Sequence, residues 1–357
     1  MTSKLFDAPL ALIGDLGATH TRIALVQGHA LIAQSNYSTQ DASDLASLLE
    51  KFLNDDVPQP ISMDEIMVSC FGVAGHVSQG EAYLTNVGWK VSESAIRDFT
   101  NAPALVVNDF YAQAVAMPLL DRRSLTHICG PDQLIPKAGR SIAVLGAGSG
   151  LGEAILGPKF HDVINQYQSS AGHDLDDAWI AVATEGGHAR FAPRNEAEVG
   201  LNRWLQGRYG EHISVERVVS GMGLVDLFSY FLGARSLPDG YTEPLTGQQV
   251  SQAAFERYDP IALDAISHFV GVYADEAANL TLKSNAGVVF LSGGVTPHLL
   301  PAIHEQFPSN FIKKGRYQRL LGGVSVWAVT IPHPGLLGAQ VLAERLLNSI
   351  SLPLADS

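Results

Sequence analysis

The stretch "LIGDLGATHTRIALV", Leu12 to Val26, decides the fold. It reads as strand, bend, strand. Leu12-Ile13 form one apolar arm and Ile23-Ala24-Leu25-Val26 the other, with Gly14, Asp15, Gly17 and Thr19 in between. Glycines let a backbone come close to a ligand, and successive turn amides make an anion nest. Thr19 adds a hydroxyl donor. A carboxylate beside a bound phosphate repels it, unless it holds a divalent cation that bridges the two. Two readings stand. Either Asp15 and the glycines only satisfy a tight hairpin, or this is a phosphate loop in which Asp15 holds a magnesium-bound water beside a nucleotide.

The same plan returns in "SIAVLGAGSGLGEAIL", Ser141 to Leu156, where the arms Ile142–Leu145 and Ala154–Leu156 flank a glycine-rich bend. The dinucleotide fingerprint GxGxxG fails here, because Leu151 or Glu153 stands where it needs a small residue, and a strand follows instead of a helix. The two stretches form a repeat of architecture, not of sequence. Two glycine-rich hairpins suit a nucleotide clasped between two domains.

Strands predicted at Ala11–Ile13, Arg22–Gln27, Ile66–Gly72 and Ala104–Asn108 alternate with helices over Ala42–Phe52 and Ser94–Phe99, which implies a sheet with helices packed on it. The second half is mainly helical. Asp259-Pro260 reads as N-cap and first residue of a helix running to about Lys283. A strand at Val288–Leu291 ends in Ser292-Gly293-Gly294, and a helix is expected from about Pro297. A strand at Val324–Val329 leads to a C-terminal helix over "PHPGLLGAQVLAERLL". The polar stretch Phe160–Asp177 reads as a surface excursion.

The chain has 357 residues, 46% hydrophobic and 17% charged, which fits a globular protein of two domains. A formal net charge of -13 argues against general nucleic-acid binding and against anionic membranes, and leaves a local anion site open. The two cysteines, Cys70 and Cys129, form no CxxC pair, so free thiols in a reducing cytoplasm are expected, with neither structural zinc nor a disulfide framework. The N-terminus lacks the apolar core of a signal peptide, and no apolar run approaches the roughly 20 residues that span a bilayer.

Asn108-Asp109 closes the strand "ALVVN" and opens an amphipathic helix. Asp109 is either an N-cap or a general base at a strand end, where open α/β sheets place reactive groups. Phosphoryl transfer to an alcohol needs such a carboxylate near the attacking hydroxyl. "EGGHARFAP" sets Glu185 and His188 across a Gly-Gly turn. No third metal ligand lies near; the pair is either a plain polar loop or the donor and acceptor set that a hydroxyl-rich ligand needs. Glu216, in "VERVVSG", stands at an expected helix start, as a cap or as a ligand.

Seven stretches, in this order, resemble the bacterial glucokinase family of the hexokinase/actin-like ATPase superfamily: "GDLGATHTR", "NDFYAQAVAMP", "GAGSGLG", "EGGHARFAP", "ERVVSGMGLVDLF", "SGGVTPHLL" and "HPGLLGAQ". The resemblance runs along nearly the whole chain. It implies an α/β, two-domain actin-like ATPase (ribonuclease H-like) fold with a cleft between a small domain of residues 1–109 plus 335–357 and a large one of 110–334. It implies Asp109 as catalytic base, and Asn108, Asp109, Glu185, His188 and Glu216 at the sugar hydroxyls. Asp15, Gly17, Ala18 and Thr19, with Gly148, Ser149 and Gly150, fall on the phosphate loops; Gly293 and Gly294 fall on the adenosine segment. The implied reaction is Mg-ATP-dependent phosphorylation of D-glucose at its 6-hydroxyl by a cytoplasmic homodimer, with sugar-driven domain closure.

The chain departs from the family in two places. The first loop commonly reads GGTN, whereas this chain has Gly17-Ala18-Thr19-His20. His20 receives no role. The Phe160–Asp177 excursion is longer than in close relatives. The rival readings are a kinase for fructose or mannose, a non-catalytic sugar sensor or repressor, and an actin-like structural ATPase. A repressor needs a DNA-binding module, yet the first hairpin starts by residue 12. Filament formation does not require Asp109, Glu185 and His188.

Overall fold

The computed structural model describes residues 8–159 and 179–351; the Phe160–Asp177 excursion lies outside them. The chain divides into two units, Met1–Met117 with Pro332–Ser357, and Pro118–Ile331.

The first unit is built on a five-stranded sheet in the order β3-β2-β1-β4-β8. Its strands are β1 (Leu10–Leu16), β2 (His20–Gln27), β3 (Ala30–Ser38), β4 (Ile66–Val73) and β8 (Ala104–Asn108). β1, β2 and β3 pair antiparallel, and β4 and β8 run parallel to β1. β5 (Val77–Ser78), β6 (Glu81–Leu84) and β7 (Trp89–Ser92) form a small separate sheet. Central strands covered on both faces must be apolar throughout. Leu12, Leu16, Ile23, Leu25, Phe71 and Val73 accordingly meet Leu48, Phe52 and Ile96 from α1 (Leu45–Lys51), the turn after it, and α2 (Glu93–Thr100) in one core. Gly14 has a packing role: the Phe71 ring of β4 fills the space where its Cβ would stand.

α3 (Asp109–Ala116) packs on α9 (Pro334–Ser351), which also lies against β1 and β4. This packing holds residues 110–117 in the first unit. The division therefore falls after Met117 and before Pro332, where the sequence had put it after residue 109 and before 335.

The second unit has a six-stranded sheet in the order β12-β11-β10-β13-β14-β9. It comprises β9 (Leu125–Cys129), β10 (Ser141–Ala147), β11 (Leu151–Pro158), β12 (Trp179–Thr184), β13 (Ala286–Ser292) and β14 (Ser325–Val329). β10, β11 and β12 are antiparallel neighbours, while β13 and β14 run parallel to β10. That is the strand order and direction of the first unit again, with β9 added at the edge. The repeat expected from the two hairpins is a repeat of whole sheets.

Among the described residues five helices of ten residues or more, α4 (Glu196–Tyr209), α5 (Gly221–Leu232), α6 (Gly247–Glu256), α7 (Pro260–Ser284) and α8 (Leu300–Phe311), belong to this unit. α7 starts as the sequence predicts. Asp259 Oδ1 accepts from the Ile261 and Ala262 amides at 2.9 and 3.0 Å, with Pro260 at the first helical position. Tyr273 of α7 is fully buried, and its hydroxyl donates to the Leu145 carbonyl at 3.3 Å, fastening α7 to β10.

Candidate active site

The first hairpin loop is closed by the Gly17 amide, which donates to the His20 carbonyl at 2.9 Å. It is also clamped from outside. Thr39 Oγ1 donates to the Gly17 carbonyl at 2.9 Å, and the Thr39 amide to the Thr19 carbonyl at 3.0 Å. Asp15 faces Arg22 across the β1–β2 ladder, with Arg22 Nη1 3.3 Å from Asp15 Oδ2. Burial pushes the Asp15 carboxyl above its usual range, and Arg22 offsets part of that rise. Gly335, at the start of α9, packs on the same carboxylate. Among the described residues, no group of three or more His, Cys, Asp or Glu is placed to hold a metal. A cation at Asp15 would thus have one protein carboxylate and otherwise water and phosphate, which suits magnesium.

At the end of β8 the capping role falls to Asn108, not Asp109. Asn108 Oδ1 accepts from the Phe110 and Tyr111 amides at 2.9 and 3.1 Å, and its Nδ2 donates to the Gly75 carbonyl at 3.0 Å. Asp109 is the first residue inside α3 and accepts from the Phe110 amide at 3.0 Å.

The second unit gathers the rest. In the β10–β11 loop the Gly148 amide donates to the Gly150 carbonyl at 2.8 Å. The Gly148 carbonyl in turn accepts from the Gly221 amide at 2.8 Å, at the first turn of α5. Gly293, with φ of 84°, lies against the Ala147 backbone, so its segment and the loop are neighbours on parallel strands.

Glu185 precedes a single turn of 3-10 helix, Gly186–His188. The Gly-Gly turn expected is one turn of this helix. Gly187 is buried against the Leu151 carbonyl, where any Cβ would collide. His188 stands between two carboxylates, with Nε2 3.6 Å from Glu185 Oε2 and Nδ1 3.9 Å from Glu216 Oε1.

Glu216 caps no helix. It sits in the short turn Val215–Arg217, and α5 starts later, with Ser220 as its cap. Its other oxygen, Oε2, accepts from the Leu151 amide at 3.0 Å and rests on Gly150. One carboxylate therefore touches both His188 and the glycine-rich loop. Beside it the Arg217 guanidinium stacks 4.1 Å above the Tyr209 ring, whose hydroxyl donates to Asp226 at 2.7 Å.

The first unit thus holds a carboxylate at a strand end and one glycine hairpin, and the second a glycine hairpin beside a Glu-His-Glu cluster. The family model "Glucokinase" matches residues 12–346. A glucokinase of Nostoc punctiforme is 32% identical, over 94% of this chain and 99% of that protein.

The chain belongs to the glucokinase family.

Glucokinases of this family are ATP-dependent sugar kinases, and the chain has their two-domain actin-like ATPase fold. A solved glucokinase from an Antarctic psychrotroph matches with a TM-score of 0.72 at 25% identity, over 94% of this chain and 99% of that one. A ROK family glucokinase from Streptomyces griseus, in complex with glucose and AMPPNP, matches with a TM-score of 0.64 at 19% identity, over 94% of this chain and 99% of that one. Among the described residues no helix is long and apolar enough to cross a membrane.

Within this glucokinase fold the structure brings Glu185, His188 and Glu216 together with Gly148, Ser149 and Gly150 in the second unit, and Gly293 and Gly294 beside them. Asn108 and Asp109 adjoin one another in the first unit, as do Asp15, Gly17, Ala18 and Thr19. Sequence reasoning missed four supports: Thr39, Arg22, the Leu151 amide and Glu153. Glu153 is the one that carried a signal. It stands on a strand with apolar residues on both faces, Leu151 and Ile155 on its own and Ala154 and Leu156 on the other, which is the pattern of a strand covered on both sides.

Proposed function

We propose that this chain transfers the γ-phosphoryl group of Mg-ATP to the 6-hydroxyl of D-glucose. The observation that carries the reading is the bond from Glu216 Oε2 to the Leu151 amide at 3.0 Å. It ties a cluster suited to sugar hydroxyls to a loop suited to phosphates. The glucose and nucleotide-analogue complex of a structural relative supports both ligands.

In this reading Asp109 accepts the 6-hydroxyl proton as that oxygen attacks the γ-phosphorus and the bond to ADP breaks. Such a base contributes about 10²–10⁴-fold. Asn108, already fixed by its three hydrogen bonds, presents its amide beside it. Glu185 and Glu216 accept from hydroxyls, and His188, with one nitrogen toward each carboxylate, supplies a donor and an acceptor to the same ligand. Gly17, Ala18 and Thr19, and Gly148, Ser149 and Gly150, offer amides and hydroxyls to phosphate oxygens. Gly293 and Gly294 lie along the adenosine. Asp15 is the residue that would hold magnesium, through water; when bound, the ion neutralises charge on the transferring phosphoryl group.

A site built to hydrogen-bond a hydroxyl rejects a sugar that misplaces it, because its own polar groups are then left unpaired. The test is a coupled assay of ADP formation with glucose, mannose, fructose and galactose. Glucose should have the highest kcat/KM and galactose should be poor. A panel in which fructose or mannose leads would overturn the choice of sugar, and no turnover with any hexose would overturn the reaction. A cytoplasmic homodimer rests on the family resemblance, and sedimentation tests the dimer.

A further inference from the structure

Glu153 lies on β11, just after the glycine-rich loop, and is 2% exposed. Its Oε2 is pressed against Gly186, where a Cβ would overlap it, and its Oε1 has no hydrogen-bond partner. The strand–turn junction is stitched at the same point. Thr184 Oγ1 donates to the Glu153 carbonyl at 3.3 Å and accepts from the Gly186 amide at 3.2 Å. The carboxyl thus forms the floor of the turn that carries Glu185 and His188.

Its surroundings favour the neutral acid. Of the titratable groups on α7, those that act on Glu153 are Glu276, 5% exposed, Lys283 and Tyr273. Lys283 Nζ is 3.7 Å from Glu276 Oε1, so the cation is shared with a second carboxylate. β10 and β12 set Leu145 and Thr184 opposite Glu153, and neither titrates. The turn itself brings Glu185 and His188.

We propose that Glu153 is a positioning residue for the sugar site: its carboxyl, wedged under Gly186, fixes the turn bearing Glu185 and His188, and loss of its proton loosens that turn. The inference rests on the proposed sugar-binding role of that turn. A buried carboxylate whose Oε1 has no donor must bring that oxygen to water or a cation when it ionises. Here the element over Oε2 is a single 3-10 turn, the least costly part to move, while the neighbouring charge of Glu276 repels it. Burial, then Glu276, pushes the Glu153 carboxyl up to about 8. If only the form with neutral Glu153 binds sugar well, KM for glucose rises about tenfold one pH step above that midpoint.

The experiment is steady-state kinetics from pH 7 to 9.5, varying glucose and ATP separately, on the native protein, Glu153→Gln, Glu153→Ala and Glu276→Gln. The native KM for glucose should climb about tenfold by pH 9, with KM for ATP flat. Glu153→Gln keeps the shape without the proton and should hold a low, level KM throughout. Glu153→Ala removes the prop and should raise KM for glucose even at pH 7. Glu276→Gln removes the repelling charge and should move the rise to lower pH, which tests the idea even if the Glu153 variants do not fold. Parallel native and Glu153→Gln profiles overturn the proposal, as does an unmoved rise in Glu276→Gln. His188→Ala separates the two layers. If it leaves KM for glucose unchanged, the assignment of the turn to sugar has failed; if it raises KM while Glu153→Gln changes nothing, only the role of Glu153 has failed.

Discussion

Replacing Glu216 by alanine should weaken two ligands at once. The carboxylate is divided between partners: Oε2 accepts from the Leu151 amide at 3.0 Å, and Oε1 lies 3.9 Å from His188 Nδ1. Leu151 is 5% exposed, so without Glu216 its N–H loses an acceptor in a place water reaches poorly. A stranded buried donor costs about 1–3 kcal/mol. The β10–β11 loop can relax to recover a partner while empty; on the proposed reading it must be restored to bind phosphate, and the cost should then appear as a loss of nucleotide affinity of about 5–150-fold. Sugar affinity should fall by a similar factor, because hydroxyls lose a charged acceptor and His188 loses the group that orients it.

Glu216→Gln separates the two effects. Its amide oxygen can still accept from Leu151, so AMPPNP should bind within a few fold of the native affinity while glucose remains weakened. Titration calorimetry of each variant with each ligand alone reads both numbers, and thermal unfolding checks that the fold persists. Native nucleotide affinity in Glu216→Ala would refute the argument, since the Leu151 bond would then have no part in shaping the loop.

Asp109→Asn should keep the fold and most of the glucose affinity, because Asn108 rather than Asp109 caps α3 with two amides; kcat should drop by about 10²–10⁴, and turnover within a few fold of native would remove Asp109 as base. Glu153 should make the protein less stable in alkali: its carboxyl is raised in the folded state from 4.5 to about 8, so its stabilising contribution is complete below pH 4.5 and disappears as pH rises through 8. The native protein should lose about 4 kcal/mol more than Glu153→Gln between pH 5 and pH 9, read by urea unfolding at each pH. Gly187→Ala drives a Cβ into the Leu151 carbonyl and should raise KM for glucose strongly with KM for ATP less affected; equal effects on both would mean the strain is relieved through the phosphate loop instead.

The hairpins were legible because their signal is local: apolar arms on either side of glycines. β3 was not, since Leu31 and Ile32 are exposed on an otherwise polar stretch, and an edge strand shows little alternation. At 108–109 the sequence offers two adjacent residues that both cap helices well, and only the backbone turn at Asn108, with ψ of 143°, decides which does. Glu216 misled for a related reason. A glutamate shortly before an apolar helix looks like a first-turn charge, but Ser220 holds the cap, and the residues between make a separate turn. The bond from Glu216 to Leu151 spans 65 residues. No periodicity could announce it.

The two units also show how one scaffold comes to treat two loops differently. Each has a hairpin, a third antiparallel strand and two parallel strands, in the same order. In the first unit the loop is clamped by Thr39, a hydroxyl in the turn that follows β3, whose Oγ1 also meets Thr21 at 3.0 Å in full burial. In the second unit the clamp is a carboxylate, 21% exposed, with its second oxygen turned to His188. Any group that binds Glu216 Oε1 changes the electron density and freedom of the oxygen that holds Leu151. The first loop is held by a buried threonine hydroxyl, whereas the second is held, besides its backbone bonds within the loop and to Gly221, by a partly exposed carboxylate whose other oxygen faces His188, so that only the second has a clamp with an oxygen left over for a further donor.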